Sequence, residues 1–209
     1  MKKLLKLMVA VLMVISFTAC SGEESTDEQK TVVENFFKYV KECEFDKLDD
    51  IAEKEVVDSF GLDSMEASLS VYSDPETYGQ VFVDETEDFK KAVFENLFTD
   101  IKIGDIEVDG DTTTVKVTGQ FTDYSTISLD TSVVKEMSET YINENKDELA
   151  KIYKEQGITA YQIKIYDAIA PQYYEQMKAA LKDAKSSDLT ATFKLENKDD
   201  KWIITSITD

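Results

Sequence analysis

The apolar residues of this chain change period twice, and those changes limit the fold more than any other feature. Up to Thr99 they recur at helical spacing, as in Val33, Phe36/Phe37 and Val40, or Phe89, Val93 and Leu97. From Ile101 to Phe121 they alternate, from Val133 to Ala184 the helical spacing returns, and from Leu189 to Ile207 alternation resumes. A two-residue period buries one face of a strand and a 3.6-residue period buries one stripe of a helix, so each run commits to one element type. Helices followed by long antiparallel hairpins make α+β the expected class, with helices packed on one face of a curved sheet.

Local signals refine that outline. Ser25-x-x-Glu28 and Thr26-x-x-Gln29 both spell capping boxes and predict a helix over about 27–42. A shorter helix is expected at Phe45–Lys54, with Phe45, Leu48, Ile51 and Ala52 inward, then a helical turn near Ser64–Ser70 and another helix at about 86–98. In the first strand the alternation slips by one at Gly104-Asp105, which predicts a β-bulge. Asp109-Gly110-Asp111 then turns the chain into a hairpin, and Asn197–Asp200 turns the last one. The final strand, with Trp202, Ile203, Ile204 and Ile207, has apolar residues on both faces, as in a strand covered on each side. Residues from about 130 to 184 form a helical insertion between strands, expected as two paired helices that part near Gly157. Pro171 marks either a kink or the first turn of a new helix.

The first twenty residues are an address rather than part of the fold. Lys2, Lys3 and Lys6 precede a nine-residue apolar run, Leu7 to Ile15, too short to span a bilayer but suited to a signal-peptide core. The stretch Phe17-Thr18-Ala19-Cys20 resembles the lipobox of bacterial lipoproteins, with Phe17 where Leu is commoner. That resemblance implies a diacylglycerol thioether on Cys20 and cleavage before it. The expected division is therefore a signal peptide at 1–19, a lipidated Cys and polar tether at 20–27, and one α+β domain at 28–209. Two acyl chains meet the requirement for stable anchoring, and seven extended tether residues reach at most about 25 Å. The abundance of Lys, Ile, Asn and Glu suggests a Gram-positive source, which places the domain on the outer face of the cytoplasmic membrane.

Composition then excludes several chemistries. The 209 residues include 23 Lys but no Arg and no His. Without His there is no Ser-His-Asp or Cys-His relay, no imidazole metal site and no imidazole pH switch. Without Arg there is no bidentate guanidinium fork. The formal charge of −20 repels nucleic acid. After processing Cys43 is the only cysteine, so no intramolecular disulfide forms. Cys43 continues the stripe of Val33, Phe36 and Val40, which predicts a buried and inert thiol.

A family resemblance follows from the two ends of the mature chain. Val32-Val33-Glu34-Asn35-Phe36-Phe37-Lys38-Tyr39-Val40-Lys41, with Phe45-Asp46-Lys47-Leu48, resembles the first helices of small secreted bacterial domains of the nuclear transport factor 2-like, or cystatin-like cone, superfamily. Phe193-Lys194-Leu195-Glu196 and Asp200-Lys201-Trp202-Ile203-Ile204 are similar to the closing hairpin of that superfamily. The resemblance implies a cone-shaped fold and leaves the insertion unexplained. It brings over no catalytic residue, since the His or Asp used by enzymes of the superfamily has no counterpart here.

Three arrangements invite a sharper reading. Asp105-x-Glu107-x-Asp109-Gly110-Asp111 imitates the start of a calcium loop, yet the twelfth position, which needs a bidentate Glu, is Lys116. The same residues alternate as the outer face of a strand entering a turn, which is the preferred reading. Among ten tyrosines, Tyr141, Tyr153, Tyr166 and Tyr173 lie on helical stripes and are expected in the core, as is Trp202 in the sheet. Tyr161 and Tyr174 fit the stripes less well and are candidates for ligand contact at the mouth of the cone. The expected function is a membrane-anchored, extracytoplasmic, non-catalytic module, without cofactor or metal, that binds a small molecule, peptide or protein. The alternatives are an enzyme using Asp, Glu or Tyr in the cone pocket, or an envelope-assembly protein acting through the insertion.

Overall fold

The computed structural model describes residues 26–124 and 131–208, so the signal segment, Cys20 and most of the tether lie outside the described residues. In chain order the elements are α1 (Asp27–Lys41), a 3-10 turn (Phe45–Lys47), α2 (Lys54–Ser59), α3 (Leu62–Ser70), α4 (Pro75–Tyr78) and α5 (Gln80–Glu95). Two strands follow, β1 (Phe98–Asp109) and β2 (Thr112–Asp123). The insertion supplies α6 (Thr131–Glu144), α7 (Lys146–Gln156) and α8 (Ile158–Leu181), and β3 (Lys185–Lys198) and β4 (Lys201–Thr208) end the chain.

The class is α+β, and the four strands form one antiparallel sheet in sequential order that does not close on itself. Each strand pairs with its sequence neighbour, even β2 with β3 across the whole insertion. The insertion therefore leaves and re-enters at one end of the sheet, with Asp123 opposite Lys185. Alternation holds on β2, where Thr113, Val115 and Val117 are buried while Lys116 and Thr118 are exposed. On the buried face α1 lays Val33, Phe36, Phe37 and Val40 against the strands. Phe36 and Phe37 meet Phe193 edge-on at 5.6 and 5.5 Å between ring centroids, and Phe37 meets Phe98 at 5.2 Å. Rings of this size, fully buried, contribute roughly 1.5–3 kcal/mol each through area alone.

The predicted bulge at Gly104-Asp105 is present, as a register shift between Ile103 and Ile106. A second shift separates Thr99 from Lys102, around Asp100 at φ +54°. Opposite it, Gly119 has no room for a side chain: a Cβ would lie 2.6 Å from Ile101 Cδ1 and 2.9 Å from the Thr99 carbonyl oxygen. Gly110, at φ +59°, makes the hairpin turn. The calcium-loop look-alike is the outer face of this hairpin, and the Lys116 ammonium sits 3.3 Å from Asp105 and 3.8 Å from Glu107.

Several expectations need correction. The stretch 45–54 is a 3-10 turn and a short extended segment rather than a helix. Leu48 and Ala52 are buried as expected, but Ala52 forms a parallel bridge to Ile204, with Glu53 N–H donating to the Ile204 carbonyl and Ile204 N–H to that of Ile51. β4 is thus an outer strand with Ile204 buried and Trp202, Ile203 and Ile207 half-buried, bordered at its edge by this segment and packed by α1 and α2. The helix expected over 86–98 begins six residues earlier, at Gln80. Thr26 precedes α1 as anticipated, but its side chain makes no capping hydrogen bond. Ser25 lies outside the described residues.

Cys43 is not on the α1 stripe. The helix ends at Lys41, and Cys43 adopts φ +57°. Its N–H donates to the Val40 carbonyl, and the Glu44 N–H donates to that of Tyr39. This paired closure is the Schellman motif, at the position where glycine is usual. The thiol is half-buried against the core, and burial raises its pKa.

The insertion holds three helices rather than two. Asn145 interrupts the first run, and both its backbone N–H and its side-chain amide donate to the Tyr141 carbonyl, at 3.1 and 2.9 Å. Gly157, at φ +89°, makes the second break as expected. α8 continues through Pro171 as one 24-residue helix.

Candidate functional site

The helices α5 and α8 form the frame of the site. Gly79 precedes α5 and has no side chain to cap it, and the Asp167 carboxylate on α8 takes that role, accepting from the Phe82 N–H at 3.1 Å. One acidic group at a helix N-terminus satisfies an orphan donor and opposes the helix dipole. Further along, the Thr86 hydroxyl donates to the Phe82 carbonyl at 2.8 Å and lies 2.6 Å from the Tyr174 hydroxyl. Thr86 has a single proton, already given away, so Tyr174 is the donor in that pair. Lys178 pairs with Glu85 at 3.2 Å. The contact positions rise together on both helices, so α5 and α8 run in the same direction.

Beyond these contacts, a cavity of about 650 Å³ lies beside α5 and α8. Met65 and Leu69 of α3, Phe89 and Val93 of α5, and Met177 and Leu181 of α8 form much of its wall. The end of β2 closes it with Phe121, Thr122, Asp123 and Tyr124, and Ser64 and Ser68 stand at its edge. No lysine contributes to this lining among the described residues, and Asp123 is its one charged group there. Burial raises the pKa of the Tyr124 phenol. The volume lies in the range of small-molecule sites, and an apolar wall with a few polar groups is their usual chemistry.

A second recess of about 450 Å³ lies on the other side of Thr122, Tyr124 and Leu181, which line both. Its remaining lining includes Asn96, Thr99, Lys178, Lys182 and Ser186, with no carboxylate among the described residues.

The predicted contact residues are placed differently from expectation. Tyr174 is not exposed but 4 % accessible, buried between Phe82 and Phe89, and burial pushes its pKa up to about 12. It supports the cavity from behind Phe89 and does not line it. Tyr161 packs on Tyr153 at 6.1 Å, near the start of α8 and about 24 Å along the helix from Met177. Tyr153, expected in the core, is 57 % accessible. Tyr141, Tyr166 and Tyr173 are half-buried, and Trp202 packs on the main core. The groups that line the cavity instead, Met177 and Leu181, belong to the α8 stripe and read in sequence as ordinary core. Pro171 does not separate them from the rest of the helix. Only the stripe's excess over what α5 can cover marks them, and that excess is not visible without the pairing of α5 with α8.

Among the described residues no cluster of three or more Asp, Glu or Cys is arranged to hold a metal ion, and no helix is long and apolar enough to cross a membrane. No protein-family model, no curated protein and no solved structure matches the chain.

Proposed function

We propose that the chain is a bacterial lipoprotein, anchored through Cys20 on the outer face of the cytoplasmic membrane, whose domain binds a ligand without transforming it. The apolar cavity between β2, α3, α5 and α8 carries this reading, because its lining offers shape and apolar surface. The antiparallel sheet with α1 along its core face supports membership of the nuclear transport factor 2-like superfamily, with the insertion as an added wall that lengthens the pocket. Native mass spectrometry of the protein taken from membranes of its own host tests the proposal. The expected result is a diacylglycerol adduct on Cys20 together with a non-covalent mass that leaves on denaturation. An unmodified chain that is empty in every preparation would overturn it.

A second reading rests on the tip of the insertion. Tyr153 and Ile158, at the junction of α7 and α8, are 57 % and 53 % accessible. Exposed large apolar residues at the end of a helical projection suit contact with another envelope protein. Loss of a cross-linked partner on Tyr153→Ser, with ligand retained in the cavity, would favour that reading.

A further inference from the structure

We infer that the ligand is a single-chain amphiphile with an anionic head, its tail in the cavity between α3, α5 and α8 and its head in the adjoining lysine-lined recess. This rests on the binding reading above and gives it a chemical class.

Three observations carry it. First, the two recesses are neighbours, since Thr122, Tyr124 and Leu181 line both. A ligand occupying both would lie along Thr122, Tyr124 and Leu181, with its apolar part on one side and its head on the lysine side. Secondly, the compartments differ in chemistry. The larger is walled by Phe89, Val93, Met177 and Leu181, and methionines adapt their shape to a flexible tail. Among the described residues lining the smaller, Lys178 and Lys182 are the ionised ones.

Thirdly, that local charge is opposite in sign to the whole. In a chain of formal charge −20, this lining holds two ammonium groups and, among the described residues, no carboxylate, while the far sides of Lys178 and Lys182 border a neighbouring recess with Glu85 and Glu175. Lys178 is partly neutralised by Glu85 at 3.2 Å, whereas Lys182 makes no ion pair among the described residues. A head carrying a carboxylate or phosphate complements Lys182 and accepts a hydrogen bond from the Asn96 amide proton that is not given to the Ala92 carbonyl. A quaternary ammonium head would meet two like charges there. The surrounding negative field slows anions on approach, so the selectivity resides in this recess rather than in steering.

The test is calorimetric titration of the full chain with four amphiphiles of one tail length, each kept monomeric. These are dodecanoate, dodecyl phosphate, dodecanol and dodecyltrimethylammonium. Dodecanoate or dodecyl phosphate is expected to bind about tenfold or more tightly than the cation, and the stronger of the two identifies a carboxylate or a phosphate source. Lys182→Glu should weaken the anions by about tenfold and leave dodecanol unchanged. Met177→Trp fills the tail compartment and should abolish binding of all four, with circular dichroism confirming the fold. Equal affinity for anion, alcohol and cation would overturn the head-group assignment while leaving a binding cavity in place. Undiminished binding to the Met177→Trp protein would overturn the placement itself, and no binding of any amphiphile would overturn the inference, while the binding reading beneath it is decided separately by the native mass measurement.

Discussion

The Asp167 carboxylate caps a helix far from it in the chain, accepting at 3.1 Å from the N–H of Phe82, 85 residues earlier. A helix N-terminus that would ordinarily be capped by its own preceding residue is held here by the insertion. Gly79 makes the arrangement possible. Its φ of +92° is open to glycine, and a Cβ there would lie 2.3 Å from Asp167 Oδ1.

Asp167→Ala should therefore cost about 1 kcal/mol, the usual value of a lost cap. Gly79→Ala should cost more, because backbone strain and collision with Asp167 add. In the Asp167→Ala background the collision disappears, so the double variant should be more stable than the sum of the single effects. Urea titrations of the four proteins measure the coupling, and strict additivity would argue against the contact.

Alkaline stability should depend on Tyr174. Its pKa rises from the ordinary phenol value to about 12 on folding, because burial disfavours the phenolate. The folded state then holds its proton more tightly than the unfolded state. Its contribution is complete below about pH 10 and is lost as pH rises toward 12, on the order of 2 kcal/mol in all. Tyr174→Phe should remove that slope and cost about 1 kcal/mol at neutral pH through the lost bond to Thr86. Unfolding curves at pH 8 and pH 11 check both statements.

Cys43 fills a glycine position in a left-handed conformation, at φ +57°. Cys43→Gly should be nearly neutral, since backbone relief offsets the lost contacts of a half-buried thiol. Cys43→Val should destabilise by about 1–2 kcal/mol, as a β-branched residue resists that conformation. Thermal melts of the two variants distinguish this from a plain core position, where Val would be the better substitute. Thiol labelling of the native protein should be slow at neutral pH, in keeping with the raised pKa.

The anchor proposal predicts that Cys20→Ser leaves the precursor uncleaved or releases the domain from membranes. Fractionation followed by intact-mass measurement reads either result, and an unacylated N-terminus at a residue other than Cys20 in the wild-type protein would contradict it.

Periodicity was a sufficient guide wherever one element packs on one partner. The α1 stripe, the alternation of β2, the slip at Gly104-Asp105 and the break at Gly157 all follow from burial on a single face. It failed where the partner is distant in sequence. Cys43 stands at stripe spacing, but hydrogen bonds to Val40 and Tyr39 had already ended the helix. Tyr174 looked out of phase because α8 is covered on more than one side, by α5, α6 and α7. The early start of α5 depends on Asp167, which no window around Gly79 contains. The cavity was illegible for the same reason, since its walls come from four separate elements and each reads alone as ordinary core.

The two outer strands of the sheet are finished by different means. β1 carries two register shifts, between Thr99 and Lys102 and between Ile103 and Ile106, and β4 is occupied along part of its length by the Ile51–Glu53 backbone. Neither margin offers the long run of evenly spaced donors and acceptors that a strand from another copy would need for pairing. The width of the sheet is therefore set by this chain alone. However densely such domains are gathered, neighbouring copies are left to meet through helices and charged faces, and a net charge of −20 keeps those faces apart.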